Sequence, residues 1–294
     1  MKCYVCFDIG GSSTKCGLLN EKGNILQKGS YPFAQDLKGL VANMKSFYQL
    51  FVNEYPIAGI AISSCGSVDC ETGIIGGVSA VPYIHGFSWK ELIQKEFGQS
   101  CEIENDANCA ALSEVYFGNA KSVKEMAFFV IGTGVGGSIV RDGKVLHGAH
   151  RYGGEFGMML SEDESGNIVN FSLLASTSSM VRKMEQMTEE SWNGKKIFDQ
   201  AENGNEICQN VIQQFFHQLA LGVFNVQHSL DPDMILFGGG ISEREDFVPR
   251  LLEAYKTITE KVDFDTIEPN LCSCTFKQDS NLIGALANFI SRNV

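Results

Sequence analysis

A turn near the N-terminus carries residue types that bind phosphate. The segment from Asp8 to Lys15 reads Asp-Ile-Gly-Gly-Ser-Ser-Thr-Lys and joins two predicted strands. Its glycines allow close backbone approach, while Ser12, Ser13 and Lys15 offer hydrogen-bond donors to phosphoryl oxygens. Asp8 offers a carboxylate that could hold hydrated magnesium. An ordinary hairpin turn is the alternative, and a P-loop is excluded because the GxxxxGK[ST] spacing is absent.

A second glycine turn, Gly132 to Gly137, reads Gly-Thr-Gly-Val-Gly-Gly and satisfies G-x-G-x-x-G, with Glu155 at a suitable distance for a dinucleotide site. A dinucleotide fold needs a helix to begin within these glycines, but the sequence that follows reads as two short strands around an Asp-Gly turn. We therefore reject a nicotinamide site. The two turns together predict a nucleotide held in a cleft between two related halves.

The order of predicted elements supports two related α/β halves. Apolar helical spacing predicts helices over 40–51, 106–118, 207–226 and 281–289. Strand patterns occur at 3–9, 14–19, 24–28, 57–62, 127–131, 138–140, 145–146 and 234–237. The strand-turn-strand series at the N-terminus recurs after residue 127, which indicates a degenerate duplication. We predict an N-terminal α/β domain over 1–117, a second over 118–280, and a terminal helix 281–294 that docks on the first.

Composition limits the partners. The chain has 294 residues, a formal net charge of −12 and ten cysteines. The acidic charge disfavours nucleic acid, and the absence of a long apolar run disfavours a membrane span. Without an export signal, scattered cysteines are typical of reduced thiols, so we expect a cytoplasmic protein. The oligomeric state stays open, with a homodimer among the options.

Asn105 and Asp106 stand at the start of a predicted helix. Both are favoured capping residues, so a purely local role is one interpretation of them. Phosphoryl transfer to a hydroxyl also needs a carboxylate that accepts the hydroxyl proton, and Asp106 could supply it. Glu155, between glycines, could accept hydrogen bonds from adjacent sugar hydroxyls or be a solvated loop acid. His147 and His150 are expected to be solvated loop residues rather than metal ligands.

These segments resemble the ROK family of sugar kinases and repressors, within the actin and hexokinase-like superfamily. The resemblance is carried, in family order, by DIGGSSTK, Gly66 to Asp69, ENDAN from Glu104, IGTGVGG, GGEFG from Gly153 and FGGGIS from Phe237. It implies a two-domain ribonuclease H-like α/β fold with the active site in the interdomain cleft. It also implies an ATP- and magnesium-dependent hexose kinase acting on the 6-hydroxyl of glucose, N-acetylmannosamine or a β-glucoside.

The resemblance implies a role for each matching residue. Asp106 is the catalytic base, and Asp8 organises magnesium through water. Sugar hydroxyls are bound by Gly66, Asn105, Asp106 and Glu155. ATP is bound by Asp8, Gly10, Gly11, Ser12, Ser13, Lys15, Gly132, Thr133, Gly134 and Gly239, the last beside the adenosine.

Two departures from the family pattern bear on zinc and on the sugar. Many members follow the glutamate with Gly-His and a zinc-binding cysteine cluster, whereas here Gly157-Met158 follows and no cysteine lies between Cys109 and Cys208. Zinc is therefore predicted to be absent. Ser172 stands where many members have another sugar-binding glutamate, which leaves the substrate open.

Two rival functions remain at the level of sequence. A sugar-sensing protein without catalysis would keep the fold, and an ATPase of the same superfamily that activates a partner would keep the first glycine turn. A DNA-binding repressor is disfavoured, because only seven residues precede Asp8.

Overall fold

The structure is a computed structural model that describes residues 2–163, 165–262 and 266–293. Among these residues, no helix combines the length and the apolar character needed to cross a bilayer. The strands are β1 Cys3–Ile9, β2 Ser13–Asn20, β3 Ile25–Pro32, β4 Ile57–Ser64, β5 Ser67–Asp69, β6 Ile74–Gly76, β7 Cys101–Asn105, β8 Glu125–Ile131, β9 Val135–Arg141, β10 Lys144–Val145, β11 Leu160–Glu162, β12 Ile168–Asn170, β13 Met234–Gly238 and β14 Leu271–Ser273. The helices are α1 Leu37–Gln49, α2 Trp89–Phe97, α3 Asp106–Tyr116, α4 Ser172–Ala175, α5 Thr177–Thr188, α6 Gly194–Glu202, α7 Glu206–Leu230, α8 Phe247–Thr259 and α9 Ser280–Asn293.

The predicted α/β class is confirmed, and each predicted strand and helix is present within a few residues of its expected bounds. Helices α2, α4, α5, α6 and α8 were not predicted. The chain divides into two compact units: Met1–Ser122 with Gly143–Gly153 and Gln278–Val294, and Val123–Asp142 with Gly154–Lys277. The predicted domain boundary at residues 117 and 118 stays a prediction, and the short segment 143–153 belongs to the first unit.

The first unit is built on a sheet of order β3-β2-β1-β4-β7. The strands β1, β2 and β3 form an antiparallel meander, while β4 and β7 run parallel to β1. Every residue of β1 is buried, because helices cover both faces of the sheet. Alternate side chains face opposite sides: Tyr4 packs on Phe289 of α9 and Phe7 on Phe47 of α1, with ring centroids 5.2 and 6.3 Å apart.

The second unit repeats this arrangement with strands in the order β9-β8-β13-β14. The β8–β9 pair is antiparallel, and β13 and β14 run parallel to β8. Phe129 of β8 stacks between Phe156 and Phe237, at centroid distances of 4.6 and 5.6 Å. The long helix α7 buries Val211, Phe215 and other apolar residues against this core. Both glycine turns therefore lie between an antiparallel strand pair at one end of a sheet.

A close helix crossing fixes α3 in the first unit. Helix α9 packs against α3, and a Cβ added at Gly284 of α9 would lie 1.7 Å from the backbone oxygen of Cys109 in α3. No side chain can occupy that space without moving one helix. The position of α3, which begins at Asp106, therefore depends on a glycine 178 residues later in the chain, a separation read from the residue numbers.

We expect Gly284→Ala to lower the free energy of unfolding by about 1–3 kcal/mol, the usual range for overpacking a core. Alanine favours a helix more than glycine does, but the clash with backbone outweighs that gain. Denaturant unfolding measures the change. Gly76→Ala is the control, because the nearest atom to its Cβ is 3.7 Å away. Equal stability of both variants would show that α3 and α9 separate at little cost.

Candidate active site

The Asp8 side chain is held in place at the end of β1. It is buried, and its Oδ1 accepts hydrogen bonds from Ser63 Oγ at 2.9 Å and from Asn281 Nδ2 at 3.1 Å. Lys15, its partner on β2, places Nζ 3.9 Å from the other oxygen, Oδ2. Because both hydrogen bonds use Oδ1, the carboxylate keeps one orientation, with Oδ2 on the side of the Lys15 ammonium.

The tip of this turn leaves room for a ligand. Gly11 and Ser12 are exposed, and the turn is closed by a hydrogen bond from Gly10 N to Ser13 O at 3.1 Å. A Cβ at Gly11 would lie 2.8 Å from the Cβ of Ala80, so a larger residue would displace the neighbouring loop. Backbone amides and the Ser12 hydroxyl are thus presented at a surface that phosphate oxygens can approach.

Asn105 caps helix α3 and links it to the loop that contains Gly66. Its Oδ1 accepts from the backbone N–H groups of Ala107 and Asn108 at 2.9 and 3.2 Å. Its Nδ2 donates to the carbonyl oxygen of Gly66 at 3.1 Å. Gly66 has φ +100, a conformation that favours glycine, and its Cβ would lie 2.7 Å from Ile75. A carboxamide nitrogen carries two N–H groups, and the bond to Gly66 uses one of them.

Strand register brings Asp8 and Asp106 to the same end of the sheet. Asp8 pairs with Ser63 of β4, and Ser63 pairs with Glu104 of β7. Since these three strands are parallel, their carboxyl ends lie together, about 10 Å across for two strand spacings. Asp106 follows β7 directly and is partly buried, with its Oδ1 accepting from Ala107 N at 2.8 Å. Ligands of α/β proteins bind at such strand ends.

Glu104 holds the start of helix α3 in place through its hydrogen bonds. Its role was not predicted from the sequence. The side chain is 1% exposed. Its Oε1 accepts from Asn105 N at 2.7 Å and Asn108 Nδ2 at 3.0 Å, and its Oε2 from Cys70 Sγ at 3.0 Å and His147 Nε2 at 2.7 Å. An acidic residue beside Ile103 in a buried strand is the signal that could have found it, since buried charges are nearly always paired.

The expectation that His147 is a solvated loop residue is wrong. Its Nε2 lies against Glu104, and the ion pair raises the pKa of the imidazole through that hydrogen bond. Burial alone would raise the pKa of Glu104, but the bonds from His147, Asn108 and Cys70 outweigh it and lower that pKa. His150, three residues on, is exposed as expected. Segment 143–153 returns to the first unit, which is why a distant histidine reaches β7.

The prediction that zinc is absent is not confirmed. Within the described residues, one oxygen, nitrogen or sulfur atom from each of Cys70, Glu104 and His147 lies within 4.8 Å of the others. The pair Cys3 and Cys6 on β1 is buried in the sheet.

The second glycine turn is supported by a helix N-terminus and by a serine. Gly132 N donates to Gly134 O at 2.9 Å, and Gly132 O accepts from Thr177 N at 3.0 Å. Ser172 Oγ accepts from Val135 N at 2.9 Å. Thr133 and Gly134 are exposed at the tip. Ser172 therefore braces the second glycine turn.

A cavity of about 460 Å³ adjoins this turn within the second unit. Gly239, with φ +92, brings the loop after β13 against β8, since its Cβ would lie 2.0 Å from Ile131 O. The Arg244 guanidinium stacks on the Phe198 ring at 4.1 Å, which gives the cavity a flat wall suited to an aromatic base. The lining residues are Ile131, Gly132, Thr177, Gly194, Lys195, Phe198, Gly240, Ile241 and Arg244.

Glu155 begins a short 3₁₀ turn, Phe156–Met158, packed under β9. A Cβ at Gly157 would lie 1.9 Å from Val135 O, so the turn can approach β9 this closely only with glycine there. The Glu155 residue is exposed, yet the protein around its carboxyl raises its pKa by desolvation. An exposed, partly desolvated carboxylate is suited to accept hydroxyl hydrogen bonds.

The family model described as "ROK family" matches residues 4–292. The chain belongs to the ROK family. A "Beta-glucoside kinase" of Listeria monocytogenes is 31% identical, over 97% of this chain and 96% of that protein.

Two solved structures extend the comparison. A ROK family protein from Streptococcus pneumoniae in complex with sucrose is 37% identical, with a TM-score of 0.92 and 99% of each chain covered. A ROK family glucokinase from Streptomyces griseus in complex with glucose and AMPPNP shares the fold at 20% identity, with a TM-score of 0.80 over 99% of this chain and 100% of that one. The predicted family and two-domain fold are thus confirmed.

We expect Asn105→Ala to lower the free energy of unfolding by about 1–2 kcal/mol, the cost of losing a helix cap. The variant also releases Gly66, so it should perturb the site more than a cap elsewhere. Asn205→Ala removes the cap of α7, which accepts from Cys208 N at 3.1 Å. We expect a similar loss of stability with catalytic rate kept for Asn205→Ala, and a reduced rate for Asn105→Ala. Equal rates in both variants would contradict a positioning role for Asn105.

Proposed function

We propose that this ROK protein is an ATP-dependent sugar kinase that transfers the γ-phosphoryl group to a hexose hydroxyl, with Asp106 as the general base. The observation that carries the proposal is the register of β1, β4 and β7, which puts Asp8 and Asp106 at one end of one sheet. Phosphoryl transfer needs an anchored metal-organising carboxylate and a second carboxylate for the hydroxyl proton. Family membership and the kinase names of relatives support the same reaction.

The residues of the first turn fit bound ATP and magnesium. Gly11 lies where a Cβ would clash, and the Asp8 Oδ1 is engaged by Ser63 and Asn281 while Oδ2 lies near Lys15. When bound, magnesium neutralises phosphate charge and ATP supplies the phosphoryl group. Asp8 would hold the hydrated ion, and Lys15 would offer an ammonium to phosphate oxygens. The proposed ATP contacts of this unit are Asp8, Gly10, Gly11, Ser12, Ser13 and Lys15.

In the second unit, the proposed ATP contacts are Gly132, Thr133, Gly134 and Gly239. The exposed tip at Thr133 and Gly134 offers a hydroxyl and backbone amides for phosphate. The cavity lined by Gly132 and Arg244, among other residues, is the proposed site of the adenine base. Its flat Arg244–Phe198 wall supports stacking.

For the sugar, we propose Gly66, Asn105, Asp106 and Glu155 as contacts. The Asn105 amide donates one N–H to the Gly66 carbonyl beside the N-terminus of α3, and its second N–H would donate to a sugar hydroxyl. Asp106 accepts the proton of the attacking hydroxyl, while its bond from Ala107 N keeps the carboxylate oriented. We propose the 6-hydroxyl of glucose, N-acetylmannosamine or a β-glucoside as acceptor. We would test β-glucosides first, because a relative is named a beta-glucoside kinase.

The proposal is tested by a coupled ADP-release assay with ATP and magnesium against β-glucosides, glucose, N-acetylmannosamine, N-acetylglucosamine, fructose and sucrose. We expect ADP release that depends on one of these sugars, with a phosphorylated sugar in equal amount. ADP release at the same rate without sugar would indicate a partner-activating ATPase. Sugar binding by calorimetry without any turnover would indicate a sensor.

We expect Asp106→Asn to lower kcat by at least about 100-fold, since general-base catalysis contributes that much or more. Asparagine keeps an oxygen for Ala107 N, so the helix start and ATP binding should persist. Asp36→Asn is the matched control, because Asp36 also begins a helix and accepts from Gly39 N at 2.7 Å. Steady-state kinetics and nucleotide-binding titrations measure both effects. A kcat for Asp106→Asn within a few-fold of the parent would remove Asp106 from the base role.

A further inference from the structure

The buried group formed by Cys70, Glu104 and His147, called the triad below, is left unexplained by sugar phosphorylation. The three residues come from the ends of β5 and β7 and from the segment 143–153 of the same unit. Cys70 is 6% and Glu104 1% exposed, while the His147 side chain is 34% exposed. The His147 edge therefore connects the group to solvent.

From this geometry, we propose that the triad binds one divalent transition-metal ion of the zinc class, with water as a fourth ligand. A thiolate, an imidazole and a carboxylate are the ligands that Zn²⁺ takes in proteins. Three protein ligands with an open fourth position form a common tetrahedral arrangement. The proposed site is separate in sequence from the cysteine cluster that many ROK members carry, which this chain lacks.

The distances suit a tetrahedral ion after small side-chain shifts. Ligand bonds of about 2.0–2.3 Å place tetrahedral ligand atoms about 3.3–3.6 Å apart. Cys70 Sγ lies 3.8 Å from His147 Nε2, and Glu104 Oε2 lies 3.0 and 2.7 Å from the same two atoms. The three atoms lie within 4.8 Å of one another, and an entering ion moves Oε2 away from the other two by about half an ångström.

A second set of contacts orients the carboxylate before any ion binds. Glu104 Oε1 is held by Asn105 N at 2.7 Å and by Asn108 Nδ2 at 3.0 Å. These bonds leave Oε2 as the oxygen that faces Cys70 and His147. Hydrogen bonds of this kind fix the orientation of the side chains that bind a metal and raise metal affinity.

Replacing two protons of the triad by one divalent ion leaves its net charge unchanged. Starting from a neutral thiol, a carboxylate and an imidazolium, the ion replaces the S–H proton of Cys70 and the Nε2 proton of His147, and both protons go to solvent. The three side chains with two such protons and the three with one divalent ion carry the same net charge. The neighbouring cations Lys90 and Arg292 are each paired with Glu102 at 2.8 Å, which limits their repulsion of an ion.

The test uses the full-length chain, stripped with a chelator and then titrated with Co²⁺ and, separately, with Zn²⁺ against a chromogenic chelator. We expect one ion per chain, a sulfur-to-cobalt charge-transfer band, and a zinc-dependent rise in Tm, since an ion that binds the folded state stabilises it. Wild-type protein that binds no stoichiometric metal, or binds Co²⁺ without a sulfur band, overturns the proposal whatever the variants do.

Variants assign the ligands. We expect Cys70→Ser to abolish the sulfur band, and Cys70→Ser and His147→Gln each to weaken zinc binding by at least about 100-fold. Cys65→Ser and His150→Gln are the matched controls, a nearby thiol and a nearby imidazole outside the triad, and should bind zinc like the parent. Zinc affinity and the sulfur band unchanged in both Cys70→Ser and His147→Gln would overturn the assignment. Circular dichroism checks that each variant is folded.

Discussion

The site depends on one buried carboxylate. Removing an ionised glutamate from water costs several kcal/mol unless hydrogen bonds or opposite charge compensate it. Glu104 meets this constraint with donors from Cys70, Asn105, Asn108 and His147. Each donor must keep its position for the charge to stay compensated, so the constraint passes to the residues that supply them. The start of α3, with Asp106, is fixed as a result.

Close packing of neighbouring segments against the backbone shapes the two glycine turns. At Gly11 and Gly137, the space that a Cβ would fill is occupied by a neighbouring chain segment. The turns are consequently determined by what packs behind them, while their exposed tips are left for a ligand. Ser172 illustrates this, because its hydroxyl accepts a hydrogen bond from Val135 N and so holds the turn from behind.

Helix α9, near the C-terminus, contacts residues of the N-terminal strand and of helix α3. Asn281 donates to Asp8, and Gly284 allows α9 to cross α3 in backbone contact. A single terminal helix thereby contacts Asp8 and the helix that begins at Asp106, the two carboxylates proposed for the reaction. Changes in α9 are expected to affect catalysis although its residues lie far away in sequence from both motifs.

The sequence by itself determined the α/β class, most of the strands and the proposed site segments. Apolar periodicity and glycine spacing are local properties, so DIGGSSTK, ENDAN and IGTGVGG could be read directly. Only the tertiary structure decided the environment of Glu104 and His147, which lie 43 residues apart. Local patterns describe a histidine next to a glycine in a predicted loop as a solvated residue. His147 meets Glu104 because segment 143–153 packs within the first unit. No sequence spacing encodes this long-range packing.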